Sequence, residues 1–229
     1  MLQPPVYLPI YTALPISTDK DTASLPIEHI ATSRCCKYKL YVSNMFTASL
    51  KRKENIAEHL LYMWQIEDLI RANGLDIDKI KTNVIDRYSS LTEQQRKELH
   101  DWYESLIDMM RRENVEQKGH LQINRNILSS VIDLHQALLK DPKYAQYTSE
   151  FYKTLPYIVE LRAKAGNEKS GEIETCFNAL YGMLLMRISQ KEISPATADA
   201  IKQISHFIAL LAHYYKLNDE DRLFEQDAK

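Results

Sequence analysis

The stretch from Lys53 to Asn73 places the strongest constraint on how this chain folds. One helical stripe of it is apolar, and further apolar residues fill most of the remaining circumference. The stripe consists of Ile56, Leu60, Met63 and Ile70, and the others are Leu61, Tyr62, Trp64, Ile66 and Leu69. Ionisable residues, among them Glu67 and Arg71, interrupt this surface, and such groups are rarely buried unless they are paired. The sequence therefore predicts a central helix whose acidic groups are neutralised by arginines of neighbouring helices.

The rest of the chain after Met45 is also helical in pattern. Apolar residues recur at three- and four-residue intervals, and glycines separate the periodic segments, where turns and helix C-caps favour them. Helix starts are indicated by Asp76, by Thr92 with Gln95, and by Ser194 followed by proline. Alternating β-type runs and hairpin signals are absent from the sequence. We expect an all-α fold, a single compact bundle of about seven helices with short connections.

Composition divides the chain into three parts. Five of the eight prolines lie in residues 1–44 and interrupt short apolar runs such as that from Val6 to Ile10. This segment is predicted to be a disordered extension, and the abrupt change near Met45 suggests that the natural protein starts at that methionine. Residues 45–216 form the predicted helical bundle domain. Residues 217–229 are charged and are expected to be a frayed tail.

The overall composition argues against several classes of function. A net charge of −2 gives no basic surface for nucleic acid, and no uncharged apolar run is long enough to span a membrane. The chain contains three cysteines, of which Cys35 and Cys36 are adjacent, so no disulfide framework is predicted and the cytoplasm is the expected location. No CxxC, HExxH or carboxylate-x-x-His spacing occurs, so we predict no metal site and no cofactor.

Charged and amide side chains within the most apolar helices are the main candidates for a site. They are Glu67, Arg71, Glu160, Arg162, Glu174, Asn178 and Arg187. If their helix faces converge, they form an interior ionic network. Three interpretations are open: a network that only fixes helix register, a pocket in which Arg162 and Arg187 bind a small anionic ligand, or catalysis by paired carboxylates. The third has the least support because no activated nucleophile or cofactor motif accompanies the carboxylates.

A weaker candidate lies in the segment GHLQINRN, which begins a helix. Exposed amides there, together with His120, Gln122 and Arg125, could hold an anion, although a solvated and simply capped first turn is the commoner arrangement. Cys176, beside an aromatic residue in an apolar helix, is interpreted as a small core residue rather than a nucleophile.

Several long segments resemble the bacterial family catalogued as domain of unknown function 4924. The segments are ENIAEHLLYMWQIEDLIRA, GHLQINRN, LPYIVELRAKAG and EIETCFNALYGMLLMRI, followed by KEIS and IKQISHFIALLA. The resemblance extends from about Met45 to Lys216 and leaves residues 1–44 outside. It implies a compact helical protein and brings no activity, substrate or catalytic residue.

Taken together, these observations favour a cytoplasmic, non-enzymatic helical protein that acts as an interaction partner or scaffold. A homodimer is the expected assembly, since two-fold assemblies are the commonest, and an unidentified protein partner is also expected. The alternative hypothesis is a protein that binds a small anionic ligand, or an unrecognised enzyme, and that uses the cluster of Glu67, Arg162, Glu174 and Asn178.

Overall fold

A computed structural model of the chain describes residues 45–89, 91–165 and 170–220, and these residues confirm the predicted all-helical fold. No β-strand occurs among them. The α-helices are α1 (Met45–Glu54), α2 (Ile56–Ala72), α3 (Ile77–Asn83), α4 (Glu93–Arg112), α5 (Gln122–Lys140), α6 (Ala145–Ala165), α7 (Glu172–Ile188) and α8 (Pro195–Asp219). Short 3-10 helices at Ile85–Arg87 and Pro142–Tyr144 precede α4 and α6.

The start of the central helix differs from the prediction. Instead of one helix from Lys53, the chain forms α1 and α2 on either side of Asn55. The Asn55 side-chain oxygen accepts hydrogen bonds from the backbone N–H groups of Ala57 and Glu58, at 3.0 and 3.2 Å. An asparagine that satisfies these otherwise unpaired donors starts a new helix. This difference accounts for eight α-helices among the described residues where about seven were expected.

Other predicted helix ends are confirmed. Asp76 caps α3, Thr92 and Gln95 form the capping box of α4, and Ser194 caps α8 with a proline in the first turn. Pro156 was expected either to kink a helix or to separate two pieces. The structure keeps α6 as one helix that contains this proline, whose ring nitrogen cannot donate the hydrogen bond that other helical residues make.

The described residues fall into two compact units. The first unit comprises residues 53–61 and 127–220, and the second comprises residues 45–52 and 62–126. In the second unit, buried side chains of α2, α3 and α4 form one apolar core, with Met63, Ile70, Ile80, Tyr103 and Met110 among its members. Burial of this apolar surface is the main force that holds these three helices together.

The first unit is built on the packing of α6, α7 and α8 against one another. Its core is rich in aromatic rings: Tyr147 and Phe151 of α6 lie 5.5 and 5.7 Å from Phe207 of α8, measured between ring centroids. Phe177 and Cys176 of α7 are also buried. Each buried aromatic ring removes a large apolar area from water, so these contacts fix the inward face of each helix.

The predicted limits of the domain fall partly within the described residues. The frayed tail was expected from residue 217, but α8 continues through Asp219. The predicted extension at residues 1–44 and the last nine residues lie outside the described residues. No α-helix in the described ranges combines the length and the apolar content needed to cross a bilayer.

We predict that Asn55→Ala lowers the free energy of unfolding by about 1 kcal/mol, because α2 then loses the side chain that caps its first turn. Asn55→Asp keeps an acceptor oxygen at the same position and should change the stability by only a few tenths of that amount. Urea denaturation of the three proteins measures the difference. Equal midpoints for the alanine and aspartate variants would show that Asn55 does not cap α2.

Candidate functional site

The most unusual polar group in the second unit is the carboxylate of Glu67, which is 0% exposed. It accepts three hydrogen bonds: from His120 Nδ1 at 2.6 Å, from the backbone N–H of Leu121 at 2.9 Å, and from the side-chain amide of Asn124 at 2.7 Å. A buried carboxylate is tolerable only when such donors replace the water that it has lost. The prediction that this acid is buried and paired is confirmed, but the prediction of an arginine partner is wrong.

His120 is positioned by two contacts. Its Nδ1 bonds to Glu67, and its ring stacks on the indole of Trp64 with centroids 4.1 Å apart and an interplanar angle of 14°. The side chain is 30% exposed. A carboxylate fixes the orientation of a histidine ring in many catalytic and metal-binding sites. Here the same contact lets His120 cover the buried carboxylate, since the imidazole lies between Glu67 and the surface of the unit.

Backbone N–H groups at the start of α5 donate to carboxylates of the protein itself. Besides the Leu121 N–H that bonds to Glu67, the N–H of Gln122 donates to the Glu113 carboxylate at 2.6 Å. Negative charge at a helix N-terminus is stabilising, because the first backbone N–H groups there are unpaired. The predicted external anion site of His120, Gln122 and Arg125 thus loses two of its N–H donors to internal carboxylates. Arg125 is exposed.

Arg71 holds the turn that leads into α5. Its guanidinium donates to Asp68 at 2.7 Å, to the carbonyl of Val115 at 3.0 Å and to the carbonyl of Gly119. Gly119 has φ of +88°, a conformation that a side chain would strain. Arg71 was expected to lie beside Glu67, one helical turn away. Its hydrogen-bond partners are instead Asp68 and two loop carbonyls, so Arg71 fixes a loop rather than the buried acid.

In the first unit, Arg162 links the end of α6 to the start of α7. It donates to the Glu172 carboxylate at 3.1 Å, to the Thr175 hydroxyl at 3.3 Å and to the carbonyl of Ser170. The pKa of the Glu172 carboxyl is lowered, first by its own backbone N–H and then by the Arg162 guanidinium. The donors of Arg162 therefore hold the connection between α6 and α7 in place.

The remaining members of the predicted cluster are Glu160, Glu174, Asn178 and Arg187, and they differ in exposure. Glu160 is exposed and pairs with Lys164 of its own helix at 2.6 Å. Asn178 is exposed, and Glu174 and Arg187 are half-buried. Glu67 and Arg71 belong to the second unit, whereas the other five residues belong to the first. The hydrogen-bond partners of Glu67, Arg71, Glu160 and Arg162 all lie outside the predicted cluster.

A second polar pair, missed in the sequence, lies in the core of the first unit. His135 of α5 is 4% exposed, and its Nδ1 lies 2.6 Å from the Tyr147 hydroxyl of α6. Burial lowers the pKa of His135 to about 4 and raises that of Tyr147 well above its usual value. The hydrogen bond therefore joins a neutral phenol and a neutral imidazole. Twelve residues separate the two, and no helical period predicts that contact.

Ligand atoms of one further group approach one another closely. Those of His100, Asp101 and Glu104 on α4 all lie within 4.8 Å of one another. Asp101 and Glu104 are exposed. Glu104 also lines an open cleft of about 350 Å³ in the second unit, together with the loop at Gly74–Ile77 and residues Ile107, Asp108 and Arg111. These groups could hold a cation loosely, because one exposed helical turn supplies all three.

Cys176 has the character that the sequence predicted. It is fully buried in α7, and burial raises the pKa of its thiol to about 12. A thiol that stays protonated and inaccessible is not a nucleophile at neutral pH.

These features define an all-helical protein whose best-placed ionisable residues are bonded to its own backbone and side chains. The chain belongs to the family described as domain of unknown function (DUF4924), whose sequence profile matches residues 45–222. This match confirms the resemblance drawn from the helical segments. Comparison with curated proteins and with solved structures gave no match.

We predict that Glu67→Gln destabilises the protein by about 3 kcal/mol, because an amide cannot accept from three donors and places its own N–H₂ against one of them. The matched control is Glu160→Gln, which removes an exposed carboxylate with one intrahelical partner and should cost at most about 0.5 kcal/mol. Chemical denaturation of both variants measures the contrast. Equal losses would show that the buried carboxylate contributes no more than a surface one.

We also predict that His135 makes the stability pH-dependent. Its folded pKa of about 4 lies below its ordinary value of 6.5. As the pH falls between these values, the unfolded chain binds a proton that the folded chain does not. Stability present above pH 6.5 is thus lost on acidification, by about 2 kcal/mol between about pH 7.5 and about pH 5.

The control for this pH effect is the double variant His135→Phe, Tyr147→Phe, which removes both polar groups together and leaves neither unpaired in the core. Urea denaturation across the pH range should show a smaller acid loss in the double variant than in the wild type. The same loss in both proteins would assign the pH dependence to other groups.

Proposed function

We propose that this protein acts by binding another protein, and that the outer face of α6 is its binding surface. The outer face consists of six exposed, uncharged residues: Ala145, Ser149, Tyr152, Pro156, Val159 and Ala163. Tyr152 is 63% and Val159 is 56% exposed, and they are two of the four large hydrophobic residues that are exposed among the described residues. This uncharged face is the observation on which the proposal rests.

The outer face is not needed for the core of the first unit. The opposite side of α6 already carries the buried residues Tyr147, Phe151, Thr154 and Ile158, and this side packs against α7 and α8. A helix with one buried face normally presents charged residues to water on the other. A second apolar face without charges along its length is instead typical of a surface that binds a partner.

The use of the charged residues supports an interaction role over chemistry. Glu67 and Arg162 were the strongest candidates for a ligand site, and both are bonded to their own chain. The hypothesis of a small anionic ligand therefore has less support, because Arg162, one of its two guanidinium donors, serves the α6–α7 connection. We place the protein in the cytoplasm, a compartment in which an unpaired thiol such as that of Cys176 is usual.

A pulldown from the native cell tests the proposal. Tagged wild-type protein is compared with Val159→Glu, which puts a charge in the middle of the outer face. The control is Leu50→Glu, at a site on α1 with nearly the same exposure, 57%. We expect mass spectrometry to find proteins that are retained by the wild type and by Leu50→Glu but lost from Val159→Glu. Identical sets of proteins on all three baits would contradict the proposal.

A further inference from the structure

The residues of the outer face of α6 follow the spacing of a coiled-coil seam. Successive members are separated by four, three, four, three and four residues along the 21-residue helix. This is the heptad pattern in which alternate a and d positions face a partner helix. The side chains are small or flat at most of these positions, which lets two helix backbones approach closely. The pattern therefore points to a helix as the partner of α6.

Charged residues beside the seam are arranged symmetrically. Lys153 and Glu160 occupy the same edge of the seam, one heptad apart, three and four residues from Pro156. Their side chains are 61% and 60% exposed. Each also has a partner within its own helix, Glu150 for the lysine and Lys164 for the glutamate. The Glu160–Lys164 pair is exposed on both sides and is therefore weak. Glu150 is only 17% exposed, but Lys153 itself is largely exposed, so both charges are accessible to a second partner.

We propose that the partner is a second copy of this chain, with two α6 helices packed antiparallel about a two-fold axis at Pro156. This inference rests on the proposed function and names the occupant of its surface. A two-fold axis across the helices brings each edge of the seam against itself. Lys153 of one copy then lies opposite Glu160 of the other, and the symmetry repeats the pair. The edges of the outer face are thus complementary to themselves in charge.

The antiparallel arrangement is favoured over a parallel one by the same charges. In a parallel pair, opposite edges of the seam meet, which places Lys153 opposite Thr148 and Glu160 opposite Leu155. Neither contact pairs opposite charges. The antiparallel pair gains two ion pairs instead and places the half-buried Leu155 of both copies together near the axis.

The size of the surface predicts a weak association. A 21-residue helix is about 31 Å long, and a single pair of such helices buries less than the ~1,200 Å² typical of stable complexes. We therefore expect monomer and dimer to exchange, with the dimer populated at micromolar concentrations and above. Sedimentation equilibrium of the full chain over that range should show the average mass rising from the monomer value toward the dimer value.

Charge reversal tests the geometry. Lys153→Glu gives each dimer two pairs of facing carboxylates, and Glu160→Lys gives two pairs of facing ammonium groups. Each variant alone should associate about tenfold more weakly than the wild type. An equimolar mixture of the two should recover the wild-type association, because every facing pair in the mixed dimer is again of opposite sign.

The mixture also separates this inference from a loss of structure. Either substitution alters the intrahelical pair of its own chain, and mixing cannot repair that change. Circular dichroism at a concentration where the wild type is monomeric should show the same helicity in both variants, with a melting temperature only slightly lowered by the altered intrahelical pair. Recovery on mixing supports the antiparallel dimer. The antiparallel dimer is overturned if the mixture associates as weakly as each variant alone. It is also overturned if the wild-type chain remains monomeric at the highest concentration.

Failure of the dimer and failure of the proposed function are distinguishable. One outcome is that the chain proves monomeric while Val159→Glu still loses proteins in the pulldown. In that case a different protein binds the outer face of α6, and only the second copy is excluded. If the wild type, Val159→Glu and Leu50→Glu all retain the same proteins, the outer face of α6 is excluded as a binding surface.

Discussion

The second unit depends on the burial of one carboxylate. Glu67 lies within a helix whose other side chains are mostly apolar, and an isolated charge there would cost several kcal/mol. Three donors offset that cost, and all come from the five-residue segment His120–Asn124. The acid thereby fixes α2 to the start of α5, and the apolar core of α2, α3 and α4 forms around a defined register. We infer that this buried polar contact contributes more to the specificity of helix packing than to net stability.

Two arginines are also bonded to groups of the protein itself. Arg71 and Arg162 each bond to backbone carbonyls of a loop as well as to an acidic side chain. A guanidinium is suited to this use because its five donors have fixed directions and it never loses its charge. Residues used in this way hold connections between helices in place. Few of their donors remain to bind a ligand. A binding role is therefore better supported at the surface of the protein than in its interior.

The sequence predicted local features well and long-range ones poorly. The caps at Asp76, Thr92 and Ser194 follow from residues that lie within one turn of each other. Asn55 carries the same signal, with Glu58 three residues later, but the apolar pattern around it indicates one uninterrupted helix. The contact between Glu67 and His120 joins residues 53 positions apart, so helical periodicity could show that the acid needed a partner but not which residue supplied it.

The outer face of α6 shows why exposure is needed to interpret a helix. By sequence alone, α6 has aromatic and apolar residues around most of its circumference, and Tyr152 and Val159 are indistinguishable in kind from Phe151 and Ile158. Only the packing of α6 against α7 and α8 separates a buried side from an uncharged side left in water. Because the buried side already secures the helix to its unit, the exposed side is free to associate reversibly without unfolding the monomer. In the proposed antiparallel dimer, a small seam that is uncharged along its length and flanked by exposed charges would make association depend on concentration and on salt.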